Sequence, residues 1–251
     1  MKLSHIAVTI ISFVKNHRKR ALIHKAYKLR NQRGIEIGGP SALFNVKGYF
    51  PVYLFAERID GVNFSNSTVW EGQLQEGQNY LYYNNKKGYQ FIAEGSDLSA
   101  IRDDQYDFLL SCHSLEHVAN PIKAVKDWVR VLKPGGQLIL VLPDKEFTFD
   151  HKRPYTTFKH LLQDFNKNVT EDDYTHFEEV IQLHDTSKDP GIKNQAELKA
   201  RVERNFENRC VHHHVFEQSV IKELLEHCGL QVTYQQKGLP FHLITIATKR
   251  I

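Results

Sequence analysis

The chain has little cysteine. Three residues, Cys112, Cys210 and Cys228, occur in 251, an odd number with no metal-type pair spacing. That argues against a disulfide framework and against a cysteine-built metal site. Cys112 falls in an apolar strand pattern and Cys228 in a helical one, so buried free thiols in a reducing, cytoplasmic compartment are expected. No bilayer-spanning run opens the chain, because the apolar stretch Ile6 to Val14 is far short of the roughly 20 residues a spanning helix needs. Its charges, Lys15-Asn16-His17-Arg18-Lys19-Arg20, follow the apolar part, and no small-residue cleavage site is present, the wrong arrangement for a secretory signal. Two readings fit this segment: a helix packed on the domain edge, or a basic amphipathic helix that makes peripheral contact with the inner membrane face through residues 3–20. Strong net charge is also missing. The excess is +4, part of it within the first 33 residues, a balance that does not suggest a nucleic-acid binder. There is no internal repeat and no low-complexity tract.

What is present is ordinary globular material, 41% hydrophobic and 25% charged, long enough for one α/β domain with an insertion. Residues 1–32 read as an N-terminal helical extension and 33–250 as the main domain. Strand patterns occur at 34–38, 56–64, 89–94, 106–112 and 137–142, and Val52 to Phe55 is too short to assign. Residues 65–88 read as a polar, aromatic surface loop. Pro121 to Leu132 carries Ile122, Val125, Trp128, Val129 and Leu132 on one helical face, and Lys133-Pro134-Gly135-Gly136 ends it. Residues 145–212 break the alternation and are too long for a simple loop, so they read as an inserted cap with helices near 155–165, 172–183 and 194–208. A helix at 216–228 and strands at 230–236 and 241–248 close the chain. Only a few residues join those two strands, so they are antiparallel. The expected architecture is a doubly wound, Rossmann-like α/β fold. Its seven-stranded, mostly parallel sheet carries an antiparallel last strand, with the helical insertion before the last helix.

Glu36-Ile37-Gly38-Gly39-Pro40-Ser41 ends the first strand in a glycine turn, where doubly wound folds bind nucleotide-like ligands. Adjacent glycines let a ligand approach main chain with no Cβ in the way. This segment is followed in order by Asp97-Leu98, Tyr106-Asp107-Phe108, Leu115-Glu116-His117-Val118 and Leu132-Lys133-Pro134-Gly135-Gly136. Together these motifs resemble the class I S-adenosylmethionine-dependent methyltransferases of the type 11 branch. The resemblance covers residues 33–144 and the closing elements 211–250, but not the insertion.

The resemblance implies S-adenosylmethionine as cofactor and assigns its contacts. Glu36 would hold the cationic end, with Gly38 and Gly39 admitting the chain; Pro40 stands where the family prefers another glycine. Asp60, beside Gly61, matches the acidic residue for the ribose hydroxyls. Asp97 matches the acceptor for the adenine amino group, with Leu98 packing on the ring. Ser111 and His113 complete the set at the end of the fourth strand. A lone Asp at either position is otherwise a turn or helix cap.

The chemistry of the acceptor falls to a histidine-rich remainder. If the turn after the fourth strand starts a helix, His113, Glu116 and His117 share a face. That pattern is similar to the Glu-x-x-Glu-His element with which small-RNA 2′-O-methyltransferases chelate a divalent ion, and His214-Val215-Phe216-Glu217 stands where that family places a further ligand. His113, Glu116, His117 and His214 would then form a three-histidine, one-carboxylate set suited to zinc, iron or manganese. The alternative is a polar pocket in which His113 or His214 is a general base. Asp144, Asp150, His151 and Arg153 are placed to face the acceptor, and Phe147 and Phe149 among them suit a sugar or other polar ring. His184, His212 and His213 read as a solvated cluster. The expected activity is O-methyl transfer to a small polar acceptor, such as a sugar of a cell-surface glycan or its precursor, catalysed through His113, His214, Asp144 and His151. The alternatives are an RNA ribose 2′-O-methyltransferase, disfavoured by the acidic 171–179 stretch, and a non-catalytic cofactor-binding module in which Pro40 marks a decayed turn.

Overall fold

The structure, a computed structural model, describes residues 17–251. Half of the N-terminal extension, and most of the segment expected to meet a membrane, lie outside the described residues. The described part of that extension is helix α1 (His17–Lys28), which packs Leu22 and Ala26 against the domain. Among the described residues no helix is long and apolar enough to cross a membrane.

The chain then enters β1 (Arg33–Ile37), a short helix α2 (Val52–Phe55) and β2 (Arg58–Asn63). A two-stranded ribbon follows, β3 (Ser67–Thr68) and β4 (Gly72–Gln73), then the hairpin β5 (Gly77–Tyr83) and β6 (Lys86–Ile92). Strand β7 (Tyr106–Cys112), helix α3 (Pro121–Val131) and strand β8 (Leu132–Pro143) complete the first half. The eight-stranded sheet has the order β5-β6-β2-β1-β7-β8-β10-β9, where β9 is Leu230–Gly238 and β10 is His242–Lys249. Pairs β6/β2, β2/β1, β1/β7 and β7/β8 are parallel, and β10 is antiparallel to both its neighbours. This is the expected Rossmann-like sheet with one more strand than expected.

The extra strand comes from residues 65–88, which are not a loop. Tyr80, Tyr82 and Tyr83 of β5 are buried in the apolar layer shared with Leu22, Phe50 and Tyr53. Aromatic rings of this kind favour a half-buried pleated surface over an exposed loop. Central strand β7 carries a near-continuous apolar run because both faces are covered, and β1 is buried from Gly34 to Ile37. On the opposite face α3 seats Ile122, Val125 and Trp128, joined by Leu224 and Leu225 of the closing helix. Asn120 caps α3 by accepting from the Lys123 amide, with Pro121 at the first helical position.

Between β8 and the closing elements the chain adds no strand. It forms α4 (Phe158–Asn166), α5 (Phe177–Leu183), α6 (Gln195–Glu203) and α7 (Asn205–Asn208). Part of this segment has a small core of its own, Val180, Ile192, Leu198, Val202 and Val211. The closing helix α8 spans Gln218–His227.

Candidate active site

A cleft of about 640 Å³ opens where β1, β2, β6, β7 and β8 end, lined by Gly38, Asn63, Glu94, His113 and Pro143. Its far side comes from the insertion, through Phe147, Phe149, Glu171, Arg201, Arg209 and His212. The carboxyl edge of a doubly wound sheet is where such folds bind ligands.

The glycine turn is built from beneath by Glu36. This residue is fully buried, and its carboxylate accepts four hydrogen bonds: from the Ser41 amide (3.1 Å) and hydroxyl (2.6 Å), the Tyr53 hydroxyl (2.6 Å) and the Tyr80 hydroxyl (2.7 Å). Burial outweighs those bonds and pushes its carboxyl above the usual range. Glu36 therefore shapes the turn and does not line the cleft, contrary to its expected role at the cofactor's cationic end. Gly39 does not line it either: a Cβ there would lie 2.3 Å from the Glu36 carboxyl carbon and 2.4 Å from the Tyr80 hydroxyl. Gly38 does face the cleft. It has φ +72°, a conformation open chiefly to glycine, and a Cβ would fall 2.4 Å from Ser114 Oγ. Pro40 also lines the cleft, after a cis peptide bond.

Several expected cofactor contacts are placed elsewhere. Asp60 is three residues short of the end of β2; it is 3% exposed and bonded to Arg58 Nε, the Tyr89 amide and the Tyr106 hydroxyl. Neighbouring Gly61 packs on the Tyr80 ring. Val62, Asn63 and Phe64 reach the cleft instead, because β2 stays paired with β1 through Val62. Asp97 caps a turn by accepting from the Ser99 amide, and Leu98 is fully buried in the core. The residues that reach the cleft from that loop are Ala93, Glu94 and Gly95, just after β6, and Glu94 is the charged one. Ser111 lies inside the sheet with its hydroxyl buried.

The acceptor-side expectations divide in the same way. His113, Glu116 and His117 line the cleft. They lie on a positive-φ residue and a 3₁₀ turn (Leu115–His117), not on a helix start. His113 Nδ1 stands 3.8 Å from Glu116, and its Nε2 stands 3.0 Å from His242 Nδ1. Burial, with His242 and His212 nearby, lowers His113 to about 3, so it is neutral. His214 does not join this group. It is 1% exposed beneath the loop, its Nε2 is 3.2 Å from the Ala119 carbonyl, and its neighbours are His160, Asp164 and His176. The expected four-residue metal set is therefore not assembled. Asp144 caps the turn Lys145–Phe147 and pairs with Lys237 at 2.7 Å, and His151 pairs with Asp185 at 2.8 Å; neither lines the cleft.

The position expected for His214 is taken by His212, whose ligand atom lies within 4.8 Å of those of Glu116 and His117. Asp150, 3% exposed, bonds His212 Nδ1 through one oxygen and Arg153 through the other, at 3.0 Å. Burial alone would lower His212, but the Asp150 charge and hydrogen bond leave it raised. Burial works against ionisation of Asp150, and His212 and Arg153 nevertheless hold it below the usual carboxylate range. Glu116 is the odd member. It is fully buried, neither carboxylate oxygen has a hydrogen-bond partner, and burial pushes it up to about 7.

An open sheet with antiparallel closure, a glycine turn after β1 and a cleft across five strand ends define a Rossmann-like methyltransferase fold. Two solved structures share it: a SAM-dependent methyltransferase from Methanosarcina mazei (TM-score 0.51, 17% identity, 92% of this chain and 97% of that one) and one from Mesorhizobium loti (TM-score 0.51, 12% identity, 92% and 96%). The type 11 methyltransferase-domain model matches residues 48–140. Over those residues the chain is similar to the class I S-adenosylmethionine-dependent methyltransferases of the type 11 branch. It is also similar to a demethylmenaquinone methyltransferase of Bacillus velezensis, 26% identical over 147 residues (56% of this chain, 57% of the relative). A sterol 4-C-methyltransferase of Caenorhabditis elegans is 30% identical over 74 residues (29% and 22%). The chain thus spans just over half the length of the first relative and about a fifth of the second.

S-adenosylmethionine fits the residues present. The cleft falls within the roughly 300–1,000 Å³ of small-molecule sites. Gly38 offers main chain with no Cβ, and Asn63, whose Nδ2 is spent on the Gly39 carbonyl at 3.1 Å, offers its oxygen. Glu94 adds a carboxylate at the same rim, held by Arg209.

Proposed function

We propose that this chain transfers a methyl group from S-adenosylmethionine to a hydroxyl oxygen of a small polar acceptor, such as a sugar of a cell-surface glycan or its precursor. The observation that carries the reading is Glu116, a residue of the cleft lining whose buried carboxylate has two unpartnered oxygens. Burying an unpaired carboxylate is expensive, and a protein that retains one gains a strong proton acceptor. The cofactor supplies an electrophilic sulfonium methyl, so the chain has only to orient the acceptor and remove its proton. Glu116 would take the hydroxyl proton as the acceptor oxygen displaces the methyl from sulfur, the pair of the broken sulfur–carbon bond staying on the thioether product. His212, fixed by Asp150, stands beside it as a positive charge that favours the ionised carboxylate.

A polar acceptor is favoured over the quinone and sterol substrates in the relatives' names by the charged lining. Glu71, Glu94, Glu171, Lys188, Arg201 and Arg209 all reach the cleft. Phe149 adds a ring for stacking, 4.9 Å from His212.

The test is S-adenosylhomocysteine release with a panel of mono- and oligosaccharides, with the product methyl located by NMR. The expected result is an O-methyl product, with turnover lost in Glu116→Gln while that variant still binds S-adenosylmethionine by calorimetry. A methyl on carbon would overturn the hydroxyl assignment, and failure of the wild-type chain to bind the cofactor would overturn the whole reading.

A further inference from the structure

Beneath the cleft, separate from the residues that line it, four side chains converge: His160, Asp164, His176 and His214. Their ligand atoms all lie within 4.8 Å of one another. His160 Nε2 is 3.2 Å from His176 Nε2 and 3.3 Å from Asp164 Oδ2, and His214 Nε2 is 3.8 Å from that same oxygen. Four nitrogen and oxygen ligands at about 2.0–2.1 Å from a tetrahedral ion would stand roughly 3.3 Å apart, and the His160–His176 and His160–Asp164 separations match that spacing.

Hydrogen bonding within the group does not satisfy it. Asp164 is 5% exposed, and its Oδ2 has no hydrogen-bond partner; the buried Nδ1 of His214 has none either. A proton on His214 Nε2 serves the Ala119 carbonyl and leaves Nδ1 a bare lone pair. A proton on Nδ1 instead leaves that N–H buried and unmatched, with the Nε2 lone pair against a carbonyl oxygen. Either tautomer leaves Nδ1 without a partner, and in the first a cation would supply it. The first is the arrangement in which a ligating histidine donates its other ring nitrogen to a backbone carbonyl.

We propose that His160, Asp164, His176 and His214 form a closed transition-metal site of the zinc class that fastens the inserted segment to the sheet domain. Three imidazoles and one carboxylate suit zinc and not magnesium or calcium. Four protein ligands leave no open position, which is the pattern of a structural site and not a catalytic one. The placement agrees: His160 and Asp164 are four apart on α4, His176 immediately precedes α5, and His214 lies on the segment returning to the sheet. The His214 amide also donates to the Glu116 carbonyl at 3.3 Å, so an ion here would tie the insertion to the loop that carries Glu116.

The test uses the full chain, stripped with a chelator and titrated with Zn²⁺ in competition with a chromophoric chelator; Co²⁺ serves as a spectroscopic substitute. The expected result is one zinc per chain, a tetrahedral cobalt spectrum, and a raised unfolding midpoint with zinc. Asp164→Asn and His214→Ala are expected to weaken zinc by more than the roughly 10- to 100-fold typical of losing an outer-shell partner. Glu116→Gln is expected to retain it. Asp164→Asn preserves side-chain shape, so its loss of zinc without loss of far-UV circular dichroism separates ligation from misfolding. Absence of zinc binding by the wild-type chain would overturn the proposal. So would undiminished zinc binding in both Asp164→Asn and His214→Ala, which would put the ion on another set such as Asp173, His176 and His213. So too would loss of zinc in Glu116→Gln, which would place the ion in the cleft.

Discussion

His212 Nδ1 is hydrogen-bonded to Asp150 Oδ2 across 62 residues of chain, and the other Asp150 oxygen is held by Arg153. Arg153 is 1% exposed and also binds Glu179 and the His212 carbonyl, both at 2.8 Å. The guanidinium thus neutralises the carboxylate that orients the histidine. Arg153→Met should destabilise the chain by about 3–5 kcal/mol, because it removes one of the two partners of buried Asp150 and leaves the His212 carbonyl without its donor. Asp150→Asn keeps the shape but frees the His212 ring, and should lower turnover by roughly 10²–10⁴-fold. Urea denaturation checks the first. For the second, kcat should fall while the dissociation constant for S-adenosylmethionine holds, and a change confined to that constant would contradict it.

Gly38 faces two separate obstacles to any side chain: φ +72° and the Ser114 hydroxyl 2.4 Å from its ideal Cβ. Gly38→Ala should abolish measurable cofactor binding. The double variant Gly38→Ala/Ser114→Gly removes the steric term and leaves the conformational one, roughly 1–2 kcal/mol for a left-handed residue. It should recover part of the stability lost in the single variant. Equal stability of the single and double variants would show that the clash contributes nothing.

Tyr80 connects the far edge of the sheet to the glycine turn, since its hydroxyl donates to Glu36 from strand β5. Tyr80→Phe deletes one of four donors to a buried carboxylate and should cost about 1.5–3 kcal/mol. Loosening of Glu36 should also relax the turn at Ser41, so cofactor affinity should fall although Tyr80 does not line the cleft. Denaturation midpoints at unchanged m-value, with calorimetric titration of S-adenosylmethionine, measure both effects.

The parallel core of the fold was legible because its signals are local. β7 is a near-continuous apolar run, α3 has its Asn120 cap and one apolar face, and the short β9–β10 link forces antiparallel pairing. The hairpin β5–β6 was not legible, since its reason for being a strand is distant: three tyrosines bury against α1 and α2, and one of them serves Glu36. Site errors share one cause, that strand ends depend on pairing partners. Asp60 looked like the acidic end of β2 until pairing with Ile35 placed it mid-strand and moved the cleft contact to Asn63. Glu94, directly after an apolar strand, carried a signal as good as that of Asp97. Among the consecutive histidines 212–214, which one faces the cleft depends on where Asp150 and Asp164 lie, and no spacing rule encodes that.

Glu171 offers a pH test on the inserted side of the cleft. It is mostly buried, accepts from the Ala119 amide at 3.2 Å, and is raised from 4.5 to about 7 by burial, then by the Glu94 charge. Below the unfolded value both states are protonated and stability is unaffected. As pH rises from there, the unfolded chain releases its proton while the folded chain keeps it, so stability falls through the window and levels off above about 7. The shift sets an upper bound of roughly 3 kcal/mol, reduced by the residue's partial exposure. Glu171→Gln removes this contribution and should flatten the decline in unfolding free energy between about pH 5 and about pH 8. Urea denaturation at the two pH values measures it, and an identical decline in variant and wild type would show that Glu171 ionises in the folded chain as it does in the unfolded one.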